Sequence, residues 1–255
     1  MKNYHTHTKR CMHATGNEEE YILNAIQTGY TVLGFSDHTP WHYNSSFVSH
    51  MRMREEELED YVNTLRQLKE KYKNQIKILI GLECEYFPGY MDWLNETIQK
   101  YKLDYIILGN HYDDTDETGI YFGSIIGDKE LRKYVDNCIK GLETGLYSYI
   151  AHPDLANHID IHSEYYYTQM KRLCDKCKGL DIPVEFNLLG FISKRNYPND
   201  VFFQIAKEVE NKVIIGVDAH TSGSLATKEY YDQALLYLDS LGLEVVDEIK
   251  LLNEE

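Results

Sequence analysis

Seven short runs rich in Val, Ile, Leu, Phe and Tyr recur along the chain, at residues 2–5, 31–36, 76–82, 105–109, 147–151, 182–186 and 213–217. Longer segments with helical patterning separate them. Ile78-Leu79-Ile80 and Val213-Ile214-Ile215 show no apolar–polar alternation, as expected of strands covered on both faces. Asn17 with Glu20 forms a helix-capping arrangement, and Gly29 supplies a stop. Residues 54–73 carry Leu58, Val62, Leu65 and Leu68 along one side of a charged helix. Residues 92–101, 128–144, 164–177, 200–209 and 228–241 complete the predicted helices. Strand–helix alternation over the whole length predicts an α/β fold with a parallel sheet and helices outside it. A closed barrel and an open doubly wound sheet both satisfy that pattern.

The residues that end the predicted strands favour closure. The first strand ends in His5-Thr6-His7, with His13 soon after, and the second in Asp37-His38. The third ends in Glu83, with Glu85 two residues on. The fourth ends in His111, the fifth in His152-Pro153-Asp154, and the seventh in Asp218-Ala219-His220. A barrel gathers such C-terminal strand ends into one ring, where enzymes of that architecture place their reactive groups, whereas an open sheet strings them along a line. An H-x-H on a strand points both rings to one face, so His5 and His7 are able to grip one ion, and Asp218 with His220 repeats the arrangement. Glu83 suits a carboxylate bridge between two ions. A lone histidine at a strand end is ordinarily a satisfied polar group. Here seven of the eleven histidines lie at or just after strand ends, a clustering that points to a metal site. Neutral imidazoles with carboxylates suit Zn, Mn or Fe, in a set of two or three divalent ions. Of the other four, His50, His158 and His162 read as solvated loop residues, and His42 as a candidate substrate contact.

Composition narrows the partners. A formal net charge of −15 argues against nucleic acid, whose phosphates are held mostly by Lys and Arg. No apolar run approaches the roughly 20 residues that span a bilayer, and the N-terminus has no signal-like apolar stretch, so no membrane partner and a cytoplasmic location are expected. The five cysteines form no secreted disulfide pattern, and Cys174-x-x-Cys177 lacks a second pair to complete a zinc knuckle.

Taken in order, His5-Thr6-His7, His13, Asp37-His38, Gly81-Leu82-Glu83, Gly109-Asn110-His111, Ala151-His152-Pro153 and Gly216-Val217-Asp218-Ala219-His220 resemble the PHP (polymerase and histidinol phosphatase) superfamily. The resemblance implies a distorted (β/α)7 barrel, here as a single domain over residues 1–255, with the metal site at the C-terminal strand ends. It also implies three ions. One is held by His5, His7, Glu83 and Asp218. A second shares Glu83 and adds His111 and His152, and a third uses His13, His38 and His220. Phe35-Ser36-Asp37-His38-Thr39-Pro40, Gly81 through Gly89, and Val184-Glu185-Phe186-Asn187 with Lys194-Arg195 are most like the histidinol-phosphate phosphatases. Gly109-Asn110-His111-Tyr112 and Leu188-Leu189-Gly190-Phe191 depart from their pattern near the expected substrate pocket.

The activity implied is hydrolysis of a small phosphorylated metabolite, L-histidinol phosphate, by a metal-bridging hydroxide. Asp37, Asp154 and His42 are candidate proton donors to the leaving group. Lys194 and Arg195 are candidate phosphate clamps, weighed against solvated loop residues. Glu185 and Asn187 are candidate contacts for a substrate amine, weighed against ordinary strand-end polar groups. Three other functions fit less well: a tyrosine phosphatase of the same superfamily, an amidohydrolase, and a non-catalytic metal-binding module. Oligomeric state is not legible in the sequence.

Overall fold

A computed structural model describes residues 1–226 and 228–253. In chain order the elements are β1 (Lys2–Asn3), α1 (Glu18–Thr28), β2 (Val32–His38), α2 (Leu58–Tyr72), β3 (Lys77–Cys84), α3 (Met91–Tyr101), β4 (Tyr105–Leu108), α4 (Asp128–Glu143), α5 (Glu164–Gly179), β5 (Val184–Asn187), α6 (Leu188–Ser193), α7 (Asp200–Val209), β6 (Lys212–Gly216), α8 (Lys228–Leu241) and β7 (Glu244–Val246). Helices begin where side chains cap them. Asn17, Ser163 and Asn199 each accept a backbone N–H in the first turn of α1, α5 and α7, and Gly29 ends α1 in the left-handed region at φ 89°.

All strand pairs are parallel. Strands β1-β2-β3-β4 form one sheet and β5-β6-β7 another. Single parallel bridges join them, Leu108 to Ile150 and Ile150 to Val184 on one side and Thr6 to Ala219 on the other. The result is an α/β fold with a curled parallel sheet. Registers matter for the site: β2 pairs with β3 from Val32–Lys77 through to His38–Glu83, which sets that imidazole beside that carboxylate.

The expected strand at 147–151 is reduced to the bridge at Ile150. Its neighbour Pro183 accepts the Ile150 N–H at 3.2 Å but has no N–H to extend the ladder. Two elements were not anticipated. Strand β7 is three residues long and pairs at the outer side of β6. Helix α6 follows directly on Asn187, whose side-chain oxygen caps it by accepting the Gly190 N–H at 2.9 Å.

Two apolar clusters hold the fold. The larger lies between strands and helices and includes Cys174 and Cys177, which explains that pair as core. The smaller fills the inside of the curl with Tyr4, Val32, Leu79, Tyr105, Ile107, Tyr149, Ala151 and Ile214. Tyr105 anchors it: its ring meets Tyr4 edge-on at 6.0 Å, and its hydroxyl donates to the Tyr4 carbonyl at 2.6 Å. Among the described residues, no helix is long and apolar enough to cross a membrane. Tyr105→Phe keeps the ring and loses this buried hydrogen bond, so urea denaturation should show a loss of about 1 kcal/mol without a change in helix content.

Candidate metal centre

Glu83, near the end of β3, sits fully inside a ring of imidazoles. One carboxylate oxygen lies 3.5 Å from His5 Nε2, 3.5 Å from His7 Nε2 and 3.0 Å from His38 Nδ1. The other lies 2.8 Å from His152 Nε2 and 3.4 Å from His111 Nε2. Asp218 completes the first group, with one oxygen 3.4 Å from His5 Nε2, 3.1 Å from His7 Nε2 and 3.3 Å from His220 Nδ1. The backbone is shaped around these groups. A Cβ on Gly109 would lie 2.0 Å from Glu83 Oε1, and one on Gly216 would lie 1.8 Å from Glu185 Oε1, so only glycine fits at either place. His152 (φ 30°) and Asp218 (φ 52°) both occupy left-handed backbone that side chains other than glycine rarely adopt, a strain that concentrates at functional sites.

The donors fit divalent cations. His5 Nε2, both nitrogens of His7, His38 Nδ1, Glu83 Oε2, His152 Nδ1 and Asp218 Oδ1 are buried with no hydrogen-bond partner. Leaving so many polar atoms unsatisfied in one place is costly unless something else meets them. Three sets, His5-His7-Asp218, His5-Glu83-His152 and His7-His38-His220, each bring their ligand atoms within 4.8 Å of one another. His13 and His220 add a second argument. Each points Nδ1 at a backbone carbonyl, Cys11 O at 2.6 Å and Asp218 O at 3.0 Å, so Nδ1 carries the proton. Their Nε2 atoms then face each other 3.0 Å apart, an arrangement that a shared proton or a bound metal ion satisfies. Burial alone would raise the Glu83 carboxyl, but His111, His38, His5 and the hydrogen bond with His152 hold it well below the usual carboxylate range. Asp218 is likewise held down, against burial, by His5, His220 and His7.

A further layer of carboxylates orients the imidazoles. Glu185 meets His5 Nδ1 at 2.8 Å and also accepts the His152 backbone N–H and the Asn187 amide. Asn187 in turn donates to Asp218 at 3.1 Å. Glu85 meets His111 Nδ1 at 3.1 Å and is held by Trp41 and by two nitrogens of the buried Arg52. Asp37 lies 3.6 Å from His7 Nδ1 and accepts from Thr8 and the His38 N–H.

These contacts place the other candidate residues. Glu185 and Asn187, expected as contacts for a substrate amine, are completely buried and bond to His5, His152 and Asp218. Asp37 is bound to its own turn. Asp154 is buried beside α7, accepts the Asn199 N–H at 2.6 Å and is pushed up to about 7 by burial. His42 is exposed and pairs with Glu55 at 2.6 Å. None of these three lines the cavity over the cluster. That cavity, of about 530 Å³, is walled by the clustered histidines other than His5, by Glu83 and Asp218, and by His50, Met51, Tyr112, Tyr121, Leu155, Leu189, Arg195 and Tyr197. Arg195 lines this cavity, its guanidinium bonded to the Tyr197 hydroxyl at 2.7 Å, whereas Lys194 is an exposed helix cap outside the wall. His50, read as a solvated residue, is exposed and also stands at the cavity edge. Arg52 and the tyrosines had no local signal, because distant loops deliver them. Glu85 had one: it stands two residues beyond Glu83, which puts both carboxylates on one face of the chain.

The PHP domain model matches residues 3–187. The chain belongs to the PHP domain family. A probable histidinol-phosphatase of Deinococcus radiodurans is 26% identical over 235 residues, covering 87% of this chain and 86% of that protein. A putative histidinol phosphatase of Listeria monocytogenes superposes with a TM-score of 0.74 at 21% identity, covering 91% and 99% of the two chains. A histidinol phosphate phosphatase of Lactococcus lactis, solved with zinc, L-histidinol and phosphate, also gives 0.74, at 17% identity and 98% of both chains. The PHP match spans the first five segments that carry candidate ligands, while Asp218 and His220 lie beyond its end and join the cluster through β6 and the Thr6–Ala219 bridge.

Two variants test this layering. Glu185→Gln should weaken divalent-metal binding by about tenfold to a hundredfold, the usual effect of losing a carboxylate behind a ligand imidazole, read by metal content after dialysis against a graded chelator. His42→Ala should leave metal content and turnover at the wild-type level in the same preparation.

Proposed function

We propose that this PHP domain protein is a metal-dependent phosphomonoesterase acting on L-histidinol phosphate. The observation that carries the reading is Glu83, a single carboxylate whose two oxygens face two different sets of imidazoles. The relatives named above add the substrate. In this reading His5, His7, Glu83 and Asp218 hold one ion, Glu83, His111 and His152 a second, and His13, His38 and His220 a third. Zn, Mn and Fe all suit these donors. The bound ions would lower the pKa of water and neutralise phosphoryl oxygens. Counting the Ile150 segment as a strand, β1 to β4, that segment, β5 and β6 make a seven-membered (β/α) barrel in one domain, with the ions at the C-terminal strand ends. A cytoplasmic biosynthetic setting agrees with this substrate.

The chain's own residues do the rest. Arg195 binds the phosphate by charge-assisted hydrogen bonds, and the Tyr197 hydroxyl fixes its orientation. Glu185 and Glu85 keep the rings of His5 and His111 turned toward Glu83. Tyr112 and Tyr121, ring centroids 5.4 Å apart, offer flat surface to the imidazole of the substrate. His50 is the one carboxyl or imidazole side chain among the described lining residues that stands outside the ligand cluster. It replaces Asp37, Asp154 and His42 as the proton donor to the leaving alkoxide.

Hydrolysis of L-histidinol phosphate beside p-nitrophenyl phosphate, after chelation and re-addition of Mn or Zn, tests the assignment. Metal-restored turnover with strong preference for histidinol phosphate is the expected result. Equal slow turnover of both would reject that substrate, and no metal-dependent turnover would reject the phosphatase. Arg195→Ala should raise KM for the phosphomonoester by about tenfold to a hundredfold, the worth of a lost charge-assisted hydrogen bond, with metal content unchanged.

A further inference from the structure

Cys11 is a buried thiol that lies outside both apolar clusters. Cys84, Cys138, Cys174 and Cys177 all pack within the main apolar cluster. Cys11 is equally buried, at 0% exposure, yet belongs to neither cluster. It ends a short 3-10 turn (Lys9–Cys11) that Thr8 caps, and Thr8 is itself tied to Asp37 through its backbone N–H. Met12 then takes left-handed backbone at φ 67°, which doubles the chain back so that His13 Nδ1 donates to the Cys11 carbonyl. Cys11 and His13 thus form a hook that presents a sulfur and an imidazole side by side.

The hook faces other unpaired groups. The Cys11 sulfur and one ring nitrogen each of His13 and His220 lie within 4.8 Å of one another, and so do the sulfur, a ring nitrogen of His7 and a carboxylate oxygen of Asp37. His7 supplies an independent sign of a ligand: its ring is 1% exposed and neither nitrogen has a hydrogen-bond partner. The Nε2 atoms of His13 and His220 face each other 3.0 Å apart, where one ring proton or a shared metal ion joins them.

We propose that Cys11 is a thiolate ligand to the ion held by His13 and His220, which makes that end of the cluster a sulfur–nitrogen site. The inference rests on the metal-centre reading above. Its consequence is a chemically divided cluster. The positions around Glu83 have nitrogen and oxygen donors and accept Mn as well as Zn, while a soft thiolate favours Zn and disfavours Mn at the third. The competing use of the thiol, a hydrogen-bond donor to a neighbouring ring, would keep S–H intact and leave metal preference unchanged.

Cobalt(II) separates the two, because a sulfur ligand gives it an intense near-ultraviolet charge-transfer band that nitrogen and oxygen ligands do not. The metal-free full chain is titrated with Co(II) while bound metal and absorbance are followed together. The expected result is a band that grows with one of the bound equivalents. Cys11→Ser should abolish it, keep the weaker visible bands of the remaining cobalt, and reduce the zinc-over-manganese preference of that equivalent by about tenfold or more. If Cys11→Ser does not fold, loss of the band in His220→Asn, with the other cobalt retained, assigns the sulfur to the same ion. A wild-type chain that binds its full complement without the band overturns the thiolate and leaves the metal centre standing, as does a band that persists in folded Cys11→Ser. A chain that binds no cobalt overturns both.

Discussion

A carboxylate buried among five imidazoles is the constraint on which the rest of the structure depends. Removing Glu83 from water is expensive, and a half-satisfied buried network is worse than an apolar one. The cost is met only if each ring is turned so that a nitrogen faces the carboxylate, which requires a second group to hold its other side. Glu185 does this for His5 and Glu85 for His111. Each added carboxylate must be compensated in turn. Glu85 is answered by Arg52, fully buried and bound to it through two nitrogens. Glu185 has no such cation among its described hydrogen-bond partners, which are a ring, a backbone N–H and an amide. Its charge, with those of Glu83 and Asp218, is what divalent ions would balance.

Arg52 also ties the floor of the site to its rim. Besides Glu85 it reaches the Thr39 carbonyl and Asp116, and Asp116 accepts from Tyr43 and Ser49 as well. The loop after β2 and the loop after β4 therefore meet at one buried guanidinium. Tyr112 and Tyr121, paired across an isolated bridge in the second of these loops, stand at the cavity wall through the same junction. A change at Arg52 acts on His111 through Glu85 and on the wall through Asp116 at once.

How much of this was legible follows from distance along the chain. The ligand candidates announced themselves because each stands at or just after the end of an apolar run, and Asn17 and Gly29 marked the ends of α1. The count of ordered strands was less legible, since Pro183 breaks a ladder that hydrophobicity alone predicts at 147–151. Roles within the site were least legible. Glu185 and Asn187 resemble substrate contacts as strand-end polar residues, but strand alternation sends them inward, beneath the rings. Asp37, Asp154 and His42 lie close in sequence to ligands, yet Asp37 and Asp154 are bound to backbone and His42 to Glu55 at the surface. Arg52, His50 and the lining tyrosines belong to loops whose course no local pattern reveals. Cys11 sits in plain view two residues before His13, but buried thiols are common in cores, and only its absence from both apolar clusters distinguishes it.

The chain's formal charge of −15 bears on how an anionic substrate reaches this cavity. A phosphate dianion approaching such a surface meets net repulsion, screened beyond roughly 10 Å at ordinary salt. Close in, the described cavity wall offers one guanidinium, that of Arg195, against the carboxylates of Glu83 and Asp218. One cation facing two buried anions does not make an attractive site for a third. Two or three divalent ions reverse the sign of the field at the floor while leaving the rim unchanged. Phosphate affinity is thus tied to metal loading more tightly than in a site rich in Lys and Arg. The same argument explains why the wall can be mostly aromatic and aliphatic: with charge concentrated at the floor, the rest of the cavity is free to recognise the organic part of the ester by shape.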